Sequence, residues 1–215
     1  MSALDSAAKA LRECGPDFSL CTEVLQELME IGSSTGEKHP LGFFRVDVSE
    51  YITDCDPSER FYLHVWRPDA RIDSLGLVHT HIFTITSLVL KGCLENVIYR
   101  VERNPERTPD SIGEYRVEYT RGGSVMHLGD VQLVAVDRAR HVEGRLYGVE
   151  LGTPHETRVV SYPTVTLIRK LFPALPDSGP LVYSAGVVDS RSSERPRLKI
   201  SDVGTLLEQK EAERD

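Results

Sequence analysis

From Leu41 to Lys170 the chain is a succession of short β-rich segments broken by turn residues, and few architectures absorb such a pattern. FFRVDV, RFYLHVWR, GLVHTHIFTITSLVL, CLENVIYRV, GEYRVEYT, SVMHL, DVQLVAV, RLYGVEL and TVTLIRK follow one another, with Gly, Pro and Asp between them. Many closely spaced strands with such breaks predict a β-sandwich or a closed barrel. Two helical stretches precede them. Ala3–Cys14 is rich in alanine, and Leu20, Val24, Leu25, Leu28 and Ile31 recur at helical spacing. Residues 32–40 (GSSTGEKHP) have loop composition, and Asn104–Gly113 reads as the longest internal loop. After Lys170 the sequence turns irregular and rich in Pro and Ser as far as Pro196. Ser201 could then cap a last charged helix. No internal repeat or domain boundary is evident. One domain over 1–215 is expected, with a barrel core at about 41–172, a helical segment at 1–32 and an irregular extension at 173–215.

Composition narrows the function classes. The 215 residues are 40% hydrophobic and 27% charged, which is globular. A formal net charge of -8 argues against a general surface for nucleic acid or anionic membrane. No apolar run approaches the ~20 residues of a membrane span, and the first residues lack a signal-peptide layout. A cytoplasmic protein is the expectation. Cys14, Cys21, Cys55 and Cys93 form no CxxC pair, so reduced thiols are expected rather than a disulfide scaffold or a zinc ribbon.

The chemistry is concentrated in histidines. His79 and His81 are two residues apart in a β-branched, apolar run, a spacing that aims both imidazoles at one face of a strand. His155 follows a glycine-bearing turn. Three neutral imidazoles converging in a barrel would hold a divalent transition metal and leave coordination positions open.

These residues lie in two blocks that resemble the signature of the cupin superfamily. In the first, His79-Thr80-His81 and Gly92 keep the family intervals, while Ile85 stands at the usual Glu and Asp73 at the opening Gly. In the second, Gly144, Gly152 and His155 keep their intervals, while Glu150 replaces a Pro and Val159 an Asn. The resemblance covers roughly Phe61 to Lys170. It implies a mainly β fold, a jelly-roll β-barrel with short N- and C-terminal helices, and a homodimer. It also implies a site with three His and no carboxylate, similar to that of the thiol dioxygenases such as cysteine dioxygenase. Such a site keeps the whole charge of the metal, which favours an anionic or bidentate substrate. The expected activity is a non-haem Fe(II) dioxygenase taking O2 and a small polar substrate bearing a thiol or an amine. Zn(II) or another divalent ion in an isomerase, lyase or condensing enzyme is the alternative, as is a non-catalytic small-molecule-binding barrel.

Around the ligands His79, His81 and His155, other residues have weaker claims. His141 competes for the third position, at an interval two residues too long. His127 reads as a surface or structural residue, and His39 as a loop residue. Ile85 should form an apolar wall. In FYLHVWR, Tyr62, His64 and Trp66 share one face and Phe61, Leu63 and Val65 the other, and either could line the pocket. Tyr147 could place a hydroxyl near the metal as a proton donor. Arg100 and Arg67 are candidates to hold a substrate carboxylate. Cys93 reads as a structural thiol.

Overall fold

A computed structural model describes residues 1–15, 18–31, 35–67, 78–103, 110–118, 124–173, 179–186, the backbone of 197–199, and Val203. Two helices, α1 (Ala3–Glu13) and α2 (Cys21–Ile31), open the chain where the helical spacing places them. Ser2 caps α1, its hydroxyl accepting from Asp5 N–H at 3.0 Å. Strands follow: β1 (Thr35–His39), β2 (Phe43–Asp47), β3 (Glu59–Trp66), β4 (Val78–His79), β5 (Thr84–Glu102) and β6 (Ile112–Glu118). Then come β7 (Ser124–Val142), β8 (Leu146–Val149), β9 (His155–Leu171), β10 (Leu181–Ser184) and β11 (Arg197–Lys199). The loop read over 32–40 is therefore a strand from Thr35, paired with β2 and β11. A strand also interrupts the irregular stretch expected after Lys170. The last helix expected after Ser201 lies, but for Val203, outside the described residues.

All pairings are antiparallel. The order β11-β1-β2-β3-β9-β4-β10-β6-β7-β5-β8, with a further β9–β5 pairing, closes a ring through β9, β4, β10, β6, β7 and β5. Closure of this kind leaves those strands without free edges. Segments that read as separate short strands are fused into long, bent ones. β5 joins two of them across Gly92, where its register with β9 shifts through Val89–Leu94. Gly92 has φ +85°, and a Cβ there would meet Thr164 Oγ1 and lie 2.7 Å from the Pro163 carbonyl oxygen. Only glycine makes that crossing.

The main apolar core lies between the sheet and the helices, not in the lumen. Leu4, Leu11, Val24 and Leu28 pack on Phe61, Leu63, Val65, Leu88, Leu90, Val165 and Leu167. These alternate positions bury one face of β3, β5 and β9, so the opposite face is committed to the interior of the barrel. The open question on β3 is thereby answered: the face of His64 and Trp66 lines the lumen. Glu59, 2% exposed, ties α1 to β9, accepting from Arg12 Nη2 and Arg169 Nε, each at 2.6 Å. Burial alone would raise its pKa, but the two arginines hold it below the ordinary carboxylate range.

Candidate metal centre

His79, His81 and His155 converge. Their ring centroids are 4.5 to 4.8 Å apart, and one nitrogen from each lies within 4.8 Å of the others. Three elements bring this about. His79 sits on the short β4, directly opposite His155 at the start of β9. Thr80 turns the other way and is buried, its N–H donating to Leu181 O at 2.8 Å and its hydroxyl accepting from Leu181 N–H at 2.9 Å. That clamp keeps His79 and His81 on one side although the regular strand ends at His79. The second block holds the first: Gly152 N–H, in a turn at φ +74°, donates to His81 O at 3.0 Å.

The chemistry of this donor set suits a metal. Burial, with His79 and His155 as neighbours, keeps His81 well below its usual pKa. Burial also lowers His155, outweighing the bond to Thr153. Both rings are therefore neutral, with lone pairs to give. His155 Nδ1 lies 3.1 Å from Thr153 O. A carbonyl only accepts, so Nδ1 carries the proton and Nε2 is left as the donor atom. His141 is elsewhere, stacked on Tyr147 with centroids 4.2 Å apart. His127 faces solvent beside Asp130 at 3.5 Å.

The histidines open on a cavity of about 70 Å³. Ile85, Val149 and Ile168 make its apolar wall, so Ile85 does project into the site from the place of the family carboxylate. No Asp or Glu lines the cavity among the described residues. His64 and Trp66 line it, and Phe43 stacks on His64 at 4.1 Å. Burial, with Lys170 nearby, pushes the His64 pKa well down. Tyr147 lines it too, its phenol raised to about 12 by burial. That hydroxyl stays protonated at neutral pH and can donate.

Four expectations are corrected. Arg100 points to solvent, its side chain 62% exposed and paired with Glu102 at 2.6 Å, because its position on β5 lies on the outer surface. Arg67 lies over Phe44, 5.8 Å from the ring centroid, and does not line the cavity. Tyr62 shares the His64 face but lies beyond the lining, packed between Arg45 and Lys170. His39, read as a loop residue, is on β1, stacks on Phe43 at 4.4 Å and lines the cavity. Lys170 was missed. It is 7% exposed and lines the cavity opposite β3, and only alternation along β9 could have suggested it.

No family model matches the chain, and no curated protein sequence matches it. Among solved structures it is similar to oxalate decarboxylase from Bacillus subtilis, at TM-score 0.38 and 11% identity over 66% of this chain. The chain spans only 28% of that protein. It is also similar to hydroquinone 1,2-dioxygenase from Sphingomonas sp. TTNP3, at TM-score 0.34 and 11% identity, covering 55% of this chain and 62% of the other. Likeness of this degree does not extend to chemistry. Among the described residues no helix is long and apolar enough to cross a membrane. What this chain itself presents is an antiparallel β-barrel whose cupin-like histidine blocks gather three imidazoles at a buried cavity.

Proposed function

We propose that this chain is a metal-dependent enzyme of the cupin type, an Fe(II) dioxygenase acting on a small polar molecule that bears a thiol or an amine. The observation that carries the reading is the convergence of three imidazoles, with the His155 tautomer set by Thr153, on a cavity lined by no carboxylate among the described residues. His79, His81 and His155 would hold the metal. Bound there, Fe(II) supplies open positions for substrate and O2 and a path for electrons between them.

The protein's own contributions follow from its side chains. Uncharged ligands leave the dipositive charge whole and draw a polar or anionic substrate inward. Ile85, Val149 and Ile168 exclude bulk water from the reacting atoms. Tyr147 holds a proton at its hydroxyl that can be donated to a charge developing on substrate oxygen. By the same resemblance the chain pairs with a second copy. Sedimentation as a monomer across micromolar concentrations would remove that part of the reading.

The test is anaerobic reconstitution with Fe(II), followed by oxygen-electrode assays over a panel of small thiols and amines. Stoichiometric iron and substrate-dependent O2 uptake support the reading. Iron binding with no uptake across the panel refutes the dioxygenase. Stoichiometric zinc in protein purified without chelators, with no activity after iron exchange, favours the non-redox alternative.

A further inference from the structure

The cavity holds a cation that the metal reading does not use. Lys170 comes from the lumenal face of β9, and its ammonium lies 4.6 Å from the centroids of both Tyr62 and Phe83. No hydrogen-bond or ion-pair partner reaches it among the described residues, although its side chain is more than nine-tenths buried. Buried ammonium groups are ordinarily paired, because an isolated charge in apolar surroundings is costly. Burial draws Lys170 down to about 7, with Arg45 adding to the shift and the Asp47 carboxylate opposing it only in part, without reaching the ammonium as an ion pair. Two polar atoms at the same wall, His64 Nε2 and Trp66 Nε1, are fully buried without partners. A binding site built for a polar group leaves such orphans when that group is absent.

We propose that Lys170 anchors a carboxylate of the substrate, so that the cavity selects small organic acids reaching from the three histidines to the Lys170 ammonium. This rests on the cavity being the metal-dependent active site proposed above.

The dimensions agree. Phe83 lies between the two groups in the contact chain, with His81 stacked on it at 4.9 Å and Lys170 Nζ 4.6 Å from its centroid. The ammonium is therefore less than about 10 Å from the His81 ring. A cavity of about 70 Å³ has room for a small molecule such as a short-chain acid. The balance of charge agrees as well. A divalent metal with neutral ligands would make the pocket positive, Lys170 adds to that when protonated, as a bound carboxylate would keep it, and no Asp or Glu lines the cavity among the described residues. A single fixed cation flanked by apolar and aromatic walls suits a monoanionic carboxylate better than a phosphate, whose extra charge and oxygens would want further donors. Tyr62 thus acquires a role as one wall of the Lys170 cage rather than as a pocket residue.

The experiment uses the full chain loaded with Zn(II), which binds without turnover. Calorimetric titration compares glycolate with glycolamide and 3-mercaptopropionate with its amide, with inorganic phosphate as a separate arm. At least one acid should bind about tenfold or more tightly than its amide. That preference should fall below about threefold in Lys170→Met and survive in Lys170→Arg. Zinc uptake and a native near-ultraviolet spectrum in each variant show that the fold persists. Equal affinity for acid and amide overturns the inference, as does a preference that survives Lys170→Met, tighter binding of phosphate, or no binding of any acid. The two readings fail separately. If the wild type takes up no metal, the metal reading falls, and the acid-over-amide comparison on metal-free protein judges Lys170 alone. If metal binds but the preference ignores Lys170, only the anchor falls.

Discussion

Replacing Gly92 and Gly152 by alanine, one at a time, separates two costs that the same residue type can carry. Both glycines belong to the sequence blocks that flank the histidines, and both have positive φ, +85° and +74°. An L-residue in that region costs about 1–2 kcal/mol, partly offset because alanine also narrows the unfolded ensemble by about 0.4–1 kcal/mol. At Gly152 nothing lies within 4 Å of an added Cβ, so Gly152→Ala should lose about 1 kcal/mol. At Gly92 the same atom would sit 2.7 Å from Pro163 O and 3.0 Å from Thr164 Cα, both backbone atoms of β9. The β5–β9 seam closes the barrel, and prising it apart adds an overpacking cost of about 1–3 kcal/mol. Gly92→Ala should therefore lose about 2–4 kcal/mol in all. Equilibrium urea unfolding, with m-values compared, reads the difference. Losses that agree within about 0.5 kcal/mol would show that the close approach at Gly92 is not what demands glycine there.

Three further outcomes are expected. His155→Ala should abolish stoichiometric metal uptake by the purified protein, whereas His141→Ala should leave it intact, and the reverse pattern would mean that the third donor is misassigned. Glu59→Ala leaves Arg12 and Arg169 around a vacated buried carboxylate and should cost about 3–5 kcal/mol in urea unfolding; because the native Glu59 pKa is lowered, the stability it contributes is present above the ordinary carboxylate range and is lost as pH falls through the lowered value, and an unchanged acid midpoint in Glu59→Ala would contradict this. Lys170 titrates near 7 in the fold and at its ordinary value when unfolded, so between them the unfolded chain holds a proton that the metal-free native protein does not. Stability should rise with pH over that interval by a few kcal/mol at most, and Lys170→Met should flatten the rise; an equal slope in both proteins would refute the assignment.

Local patterns in the sequence reached a good part of this molecule. The helices are legible because their apolar residues repeat within a few positions. The His79/His81 pair is legible because a two-residue spacing defines a face. His155 is preferred over His141 because the glycines before it keep a family interval, and the structure brings that ring, not the other, to the pair. Such signals operate over a turn, a strand or a short motif, where backbone geometry leaves few choices.

Tertiary structure decided the rest. Both faces of β3 are apolar enough to be buried, and only the docking of α1 and α2 on Phe61, Leu63 and Val65 commits His64 and Trp66 to the lumen. The same choice, carried across the β3–β9 register, turns Lys170 inward. Arg100 looked equally eligible as an anion anchor and is on the surface, because strand alternation states that two faces exist but not which one is inside. His39 gained its place from the pairing of β1 with β2, which loop composition concealed. Glu59 unites partners 47 and 110 residues away, a separation no periodicity encodes. Sidedness and long-range pairing arise from which surfaces the whole chain buries against each other, and that is a property of the assembled fold.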